Sequence, residues 1–334
     1  MRVTKNLLHK LARETANSRK KSEPDLHAAY LTGSLLDDEP LLGGATDIDL
    51  VLVHKYQARV KRETEAVNQE ISLDIFHTVI EDYDHHRQLR QDPLLGYPLT
   101  RSNILLFDSD HWLEFIQASV SAEFHRTDNV LARVNGFFQQ AREDWKNLEL
   151  TPPDDHLTWL NRYLDTLSNA ANAIAGLIGD PLTTRRFLLT YADRTETLGV
   201  PKLLAGLEGL LGVSDMKPES IHAWAKGLQE DWQVLFQQGT PPPNLAACRQ
   251  AYYVKAIQSM TESGLHKVAL WPLLRTWLDV RLTTPEPDKG NVWQGCLDML
   301  QLTKEITPEK IAALDAYLDT VEMTIEAWTN VYGI

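Results

Sequence analysis

Short apolar stretches lie near the N-terminus, one of which, Ile71-Ser72-Leu73-Asp74-Ile75-Phe76, alternates apolar and polar residues, and apolar residues recur at helical spacing through most of the remainder. Strict alternation predicts half-buried strands, and a recurrence every three to four residues predicts amphipathic helices. The pattern gives a helix over 3–21, strands over 27–32 and 48–54, a short helix near 57–69, a strand over 71–79 and a helix near 80–90. The run Asn103-Ile104-Leu105-Leu106-Phe107 predicts one more strand. From about residue 111 the pattern is helical almost throughout, with one or two helices over 111–146 and a capped restart after Thr151-Pro152-Pro153-Asp154-Asp155. Leu157, Leu160, Leu164, Leu167, Ala171, Ile174 and Ile178 then form a core stripe. Later helices fit 181–193, 200–211, 218–237, 244–262, 266–282, 291–303 and 308–331, broken at Gly239-Thr240-Pro241-Pro242-Pro243 and Thr284-Pro285-Glu286-Pro287. No fixed repeat period is present, which argues against a solenoid. The expected fold class is α+β: a small mixed β-sheet domain over 1–110, then an all-α helical bundle domain over 111–334.

Composition fits that two-part reading. A chain of 334 residues exceeds the usual single-domain size, and 43% hydrophobic residues are enough for a sizeable core. No apolar run approaches the roughly 18 residues of a membrane span, and Met1-Arg2-Val3-Thr4-Lys5 opens a mixed basic and apolar helix without a signal-peptide core. The expectation is a cytoplasmic protein without a membrane partner. Cys248 and Cys296 lie in separate helical segments without metal-ligand spacing and read as buried free thiols. The net charge of -13 gives no sign of the basic surface that long nucleic acid requires. Two local basic runs, Lys5 to Lys21 and Arg59-Val60-Lys61-Arg62, read as solvated helix faces.

The candidate chemistry sits in the first hundred residues. Gly33-Ser34 follows the first predicted strand, and Asp47-Ile48-Asp49 opens the second. Residues two apart on a strand share a face, so Asp47 and Asp49 aim together while Ile48 and Leu50 turn into the core. A third carboxylate, Asp74, lies in the strand Ile71-Ser72-Leu73-Asp74-Ile75-Phe76. Carboxylates this close repel one another unless a cation sits between them, and an oxygen-only set suits Mg²⁺ or Mn²⁺. Glycine at position 33 lets the backbone approach a phosphate, and Ser34 supplies an amide and a hydroxyl as donors. The chain lacks the G-x-x-x-x-G-K-[ST] and G-x-G-x-x-G patterns beside these residues, which excludes both of those phosphate-binding schemes.

Apolar-Gly-Ser, a spacer of about a dozen residues, Asp-apolar-Asp-apolar and a later apolar-Asp-apolar strand together resemble the DNA polymerase beta superfamily of nucleotidyltransferases. The small-molecule branch of that superfamily includes the kanamycin and streptomycin nucleotidyltransferases, and the chain is similar to it. The chain departs at one position, where Thr32 stands directly before Gly33 and Leu31 is the apolar residue. The resemblance spans residues 1 to 110. It implies that Gly33 and Ser34 hold a triphosphate, that Asp47 and Asp49 bind Mg²⁺, and that Asp74 completes the metal site and helps deprotonate the acceptor. It also implies a helical domain that contributes to acceptor binding, in which Glu143 or Asp144 could share the role of base.

Two further nucleotide contacts are expected from the residues alone. Arg185, after Gly179-Asp180-Pro181, could reach a triphosphate. Tyr252 and Lys255 share one face of a predicted helix, where the ring could stack a base and the ammonium hold a phosphate. His85-His86 reads as an exposed helix face. The expected activity is transfer of a nucleoside monophosphate, AMP from ATP, to a hydroxyl of a small-molecule acceptor of the aminoglycoside kind. Such a cationic acceptor would suit an acidic protein. The alternatives are a nucleotidyltransferase that modifies tRNA or a partner protein, of the toxin–antitoxin type, and a non-catalytic nucleotide-binding scaffold.

Overall fold

The computed structural model describes residues 3–37, 40–213, 216–284, 291–303 and 308–332. It is an α+β protein, with a five-stranded sheet in the N-terminal part followed by many helices. The chain begins with α1 (Lys5–Ser22), β1 (Leu26–Thr32), β2 (Thr46–His54), β3 (Arg62–Ala66) and β4 (Ile71–Val79). It continues with α2 (His86–Gln91), β5 (Leu105–Asp108), α3 (Trp112–Phe124), α4 (Thr127–Leu150), α5 (His156–Ala175) and α6 (Phe187–Thr197). It ends with α7 (Lys202–Leu211), α8 (Pro218–Gln238), α9 (Ala247–Glu262), α10 (His266–Thr283), α11 (Val292–Met299) and α12 (Pro308–Tyr332). By packing, the chain falls into two compact units, Met1–Asn129 with Pro242–Lys255, and Val130–Pro241 with Ala256–Ile334. The sheet's unit therefore runs past residue 110 and takes in a segment far along the chain, where the expected division was a single cut at 110.

The strand order is β3-β4-β2-β1-β5, with β2 and β4 parallel and the other neighbours antiparallel. Period-2 alternation gives each central strand one row of side chains per face. On one face Ile48, Leu50 and Leu52 of β2 and Leu73 and Ile75 of β4 pack on Leu8, Ala12 and Ala16 of α1. The helix stripe follows a spacing of four, and its two alanines allow a close approach to the sheet. Thr4 caps this helix by accepting from Leu7 N at 3.3 Å, and Arg19, Lys20 and Lys21 fill its last turn, where cations favour the helix dipole. The opposite face packs Tyr30, Val51 and Val53 against Leu113, Ile116, Val120 and Phe124 of α3. There the Tyr30 and Tyr83 hydroxyls satisfy each other at 2.8 Å, as buried hydroxyls must.

Several local expectations are corrected. The helix expected near 57–69 is instead an edge strand, Arg62–Ala66, paired with β4 from Arg62↔Phe76 to Ala66↔Ser72. Its Arg-Glu-Thr-Glu-Ala sequence hides the strand because an outer strand need not be apolar, and charge on an edge deters pairing with other chains. The helix expected near 80–90 divides into a 3₁₀ turn at Ile80–Tyr83 and the short α2. The 111–146 stretch resolves into α3 and α4. Helix α5 ends at Ala175, which leaves Ile178 beyond the stripe and exposed, whereas Leu160, Leu164, Leu167, Ala171 and Ile174 are fully buried. The break expected at Pro285-Glu286-Pro287 lies outside the described residues.

The helical unit has an aromatic core. Phe187 stacks on Trp271 with centroids 3.8 Å apart, the Tyr191 and Tyr317 hydroxyls pair at 2.8 Å, and Trp277 Nε1 donates to Asp231 at 2.7 Å. A cavity of about 910 Å³ opens beside α7 and α12, with Tyr317 and Lys310 in its lining. Desolvation lowers the Lys310 pKa to about 8. Cys296 is buried, and burial pushes its thiol well up, while Cys248 is half-buried. No described helix is long and apolar enough to cross a membrane.

Candidate metal centre

Parallel pairing of β2 and β4 sets Asp49 directly beside Asp74 and Asp47 beside Ser72. All three carboxylates then project from the same face, and one oxygen from each lies within 4.8 Å of the others. Thr32 is the register partner of Asp49 on the other side, so the turn that follows β1 is delivered to the same place. That turn is Gly33–Leu36, a single 3₁₀ turn. Gly33 has φ +70, in the left-handed region, and a Cβ placed there would lie 1.9 Å from Asp49 Oδ2. Only glycine meets both demands. Ser34 presents a buried hydroxyl with no hydrogen-bond partner among the described residues, and Asp47 Oδ1 is likewise buried without a donor. Buried polar atoms without partners mark a place where a ligand completes the bonding.

Two arginines balance part of this negative charge. Arg62, on β3, forks onto Asp74, with Nε to Oδ1 at 2.8 Å and Nη2 to Oδ2 at 2.6 Å, while its guanidinium lies over the Phe76 ring. Arg249, in the first turn of α9, points Nη1 between two carboxylates, 2.5 Å from Asp47 Oδ2 and 3.0 Å from Asp74 Oδ2. The Tyr252 and Tyr253 rings flank its guanidinium at 4.6 and 5.6 Å. Thr64 Oγ1 donates to Pro243 O at 2.9 Å and so moors the proline-rich loop that leads into α9. Arg249, Asp47 and Asp74 are all nearly devoid of solvent exposure, so their charges interact with little screening.

The electrostatics follow from this count of charges. Burial opposes the charge on Arg249 but is outweighed by Asp47, the flanking tyrosines and Asp74, so its pKa rises well above the ordinary value. Arg62 is raised in the same way, with Asp74 outweighing burial. Three carboxylates share two guanidiniums, and no donor is paired with Asp49 among the described residues. Burial first, then the charges of Asp47 and Asp74, push the Asp49 carboxyl well above the usual carboxylate range, against Arg249 and Arg62. A divalent cation would offset this surplus negative charge.

The residues therefore fit a divalent metal: three convergent oxygens, two unpartnered buried acceptor or donor atoms and unbalanced negative charge. An oxygen-only set of this kind suits Mg²⁺ or Mn²⁺. Of the residues singled out in the sequence, Gly33, Ser34, Asp47, Asp49 and Asp74 come together here. Lys255 lies on α9 and pairs with Glu70 at 3.2 Å, part-exposed. Arg185 belongs to the helical unit, buried in the 3₁₀ turn Thr184–Arg186. Asp144 also belongs to that unit, where burial raises its carboxyl. His86 is engaged by Ser119 at 2.8 Å. Tyr252 lies against Arg249. Sequence reasoning missed Arg62, which it placed on a solvated helix face, and it missed Arg249 altogether.

No family model matches the chain, and no curated protein matches it. Among solved structures it is similar to a nucleotidyltransferase-like protein from Exiguobacterium sibiricum 255-15, at 10% identity and a TM-score of 0.35, over 96% of this chain and 91% of that one.

The site makes two predictions. Arg249→Met, which keeps the apolar stem and removes the charge, should cost on the order of 3 kcal/mol in metal-free buffer because it strands buried carboxylates. Millimolar Mg²⁺ should recover much of that loss in urea unfolding, and an equal loss with and without Mg²⁺ would contradict the shared role of arginine and metal. The second concerns Asp49. A raised folded pKa contributes stability that is full below the unfolded value, about 3.9, and is lost as pH rises through the folded value. In metal-free buffer Asp49→Asn should therefore raise the melting temperature at pH 8 and leave it unchanged near about pH 4. A variant less stable than wild type at pH 8 would reverse this sign.

Proposed function

We propose that the chain is a metal-dependent nucleotidyltransferase that moves a nucleoside monophosphate, AMP from ATP, onto a hydroxyl of a small-molecule acceptor. The observation that carries this reading is the contact of the Gly33 turn with Asp49, because it puts a phosphate-gripping backbone and a three-carboxylate cluster at one point. Asp47, Asp49 and Asp74 would hold Mg²⁺, which when bound neutralises the triphosphate and the departing pyrophosphate. Gly33 allows the backbone to come close to phosphate oxygens, and the unpartnered Ser34 hydroxyl donates to them. Arg62 orients Asp74 through its fork. Asp74 would help to take the acceptor's proton. Arg185 and Lys255 are proposed as further phosphate contacts. The net charge of -13 favours a cationic acceptor, such as an aminoglycoside, over tRNA.

A second reading, a nucleotide-binding scaffold without transfer, draws on Arg249, whose Nη1 bridges Asp47 and Asp74 as a built-in cation. One experiment separates the two. Pyrophosphate release is measured with Mg²⁺, each of ATP, GTP, CTP and UTP, and a panel of amine-rich alcohols. Turnover that falls by a factor on the order of 100 or more in Asp47→Ala and Asp49→Ala, with the fold intact, is the expected result. Full activity in either variant would overturn the proposal, and metal-dependent triphosphate binding without release to any acceptor would establish the scaffold.

A further inference from the structure

The apolar rows that face α1 do not end in apolar residues. On β2 the row Ile48, Leu50, Leu52 continues to His54, and on β4 the row Leu73, Ile75 continues to His77. The pairing Leu52↔His77 makes the two rows neighbours, so both imidazoles emerge on the face opposite the aspartates, at the far end of the strands. They meet with His54 Nε2 2.9 Å from His77 Nδ1, the rings stacked at 19°. Glu23, the residue that caps the C-terminus of α1, brings Oε2 to 3.9 Å from His54 Nε2. The three ligand atoms all lie within 4.8 Å of one another.

The outer nitrogens explain why this pair is more than a satisfied core contact. His54 Nδ1 lies 3.3 Å from Asp25 Oδ2, and His77 Nε2 lies 3.1 Å from Glu63 Oε1. Glu63 favours the proton on His77 Nε2, whereas His54 Nδ1 is buried without a hydrogen-bond partner among the described residues. His77 Nδ1 then offers a lone pair toward His54 Nε2 at 2.9 Å, and an ion between the two nitrogens would take one lone pair from each ring once the His54 proton moves to Nδ1, beside Asp25. Arg19 supports the carboxylates, with Nη1 to Glu23 Oε1 at 3.1 Å and Nη2 to Glu63 Oε1 at 2.7 Å, which leaves Glu23 Oε2 turned to the histidines. Glu65 also contacts Arg19, so three carboxylates share this guanidinium, while Asp25 faces His54.

We propose that His54, His77 and Glu23 form a binding site for a divalent transition metal of the Zn²⁺ class, separate from the aspartate cluster. Imidazole nitrogens with a carboxylate suit Zn²⁺ rather than Mg²⁺. Bonds of about 2.0–2.1 Å to two tetrahedral ligands hold their donor atoms about 3.3–3.4 Å apart, so the nitrogens need separate by only a few tenths of an ångström. Three protein ligands leave a fourth position for water. The ion would tie the end of α1 to β2 and β4, and Asp25 and Glu63 would act as the second-shell carboxylates that orient the rings. The site does not depend on the nucleotidyltransferase reading.

The test is titration of Zn²⁺ and Co²⁺ into the chelator-treated full chain, in wild type and in Asp47→Asn/Asp49→Asn, which silences the aspartate cluster. One tightly bound equivalent that persists in the aspartate variant, with visible Co²⁺ bands of tetrahedral intensity and a raised melting temperature, is expected. His54→Gln or His77→Gln should remove it, and Glu63→Gln should weaken it by roughly 10- to 100-fold. If a histidine variant fails to fold, imidazole ¹⁵N spectra of the wild type decide, since Zn²⁺ should shift two of the eleven histidines, His54 and His77. No tight equivalent, binding unchanged in the histidine variants, or Zn²⁺-induced shifts at other histidines would each overturn the proposal.

Discussion

Crowding of three carboxylates at one point of a sheet is the constraint around which the first unit is arranged. Asp47, Asp49 and Asp74 cannot all be charged and buried together without compensation, and the fold supplies it from two directions. Arg62 comes from the adjacent edge strand and forks onto Asp74, and Arg249 comes from α9 to bridge Asp47 and Asp74. These contacts explain why a segment around Pro242–Lys255 packs with a sheet built almost 200 residues earlier. Asp49 has no arginine partner among the described residues, and burial with the charges of Asp47 and Asp74 pushes its carboxyl well above the usual range.

The same constraint couples electrostatics to backbone conformation. The glycine turn after β1 is pressed on Asp49, so the position of that carboxylate and the conformation of Gly33–Leu36 are set jointly. A ligand that moves Asp49 would be felt by the turn, and a phosphate seated on the turn would be felt by the carboxylates. Arg249 adds a second coupling, because it stands where a cation bridging Asp47 and Asp74 would also stand. On this account arginine and divalent metal exchange as partners of the same oxygens, and the flanking Tyr252 and Tyr253 rings give the guanidinium a favourable face where it now stands.

Legibility in the sequence follows the range of the interactions. The strands at 26–32 and 46–54 show as short apolar runs and the strand at 71–79 in a local alternation, and the shared face of Asp47 and Asp49 follows from strand geometry alone. Arg62 was hidden because an edge strand of charged residues carries no apolar signature, and the strand exists only through its pairing with β4. Arg249 was hidden because its partners lie 202 and 175 residues away, and nothing in a helix beginning Ala-Cys-Arg-Gln-Ala-Tyr-Tyr marks one arginine as buried. Its place after a proline-rich loop and before a tyrosine pair is the only local sign. His54 and His77 carry no local sign of one another, because their convergence needs the parallel register of β2 and β4.

The most direct test of the account is thermodynamic coupling between metal and triphosphate at the aspartate cluster. Mn²⁺ binding is followed by electron paramagnetic resonance with and without a non-hydrolysable ATP analogue, in wild type and in Asp47→Asn/Asp49→Asn. The account predicts that the analogue tightens Mn²⁺ binding, that Mn²⁺ tightens binding of the analogue by the same factor, and that the aspartate variant loses both effects. Binding of each that is indifferent to the other, or coupling that survives in the variant, would contradict it.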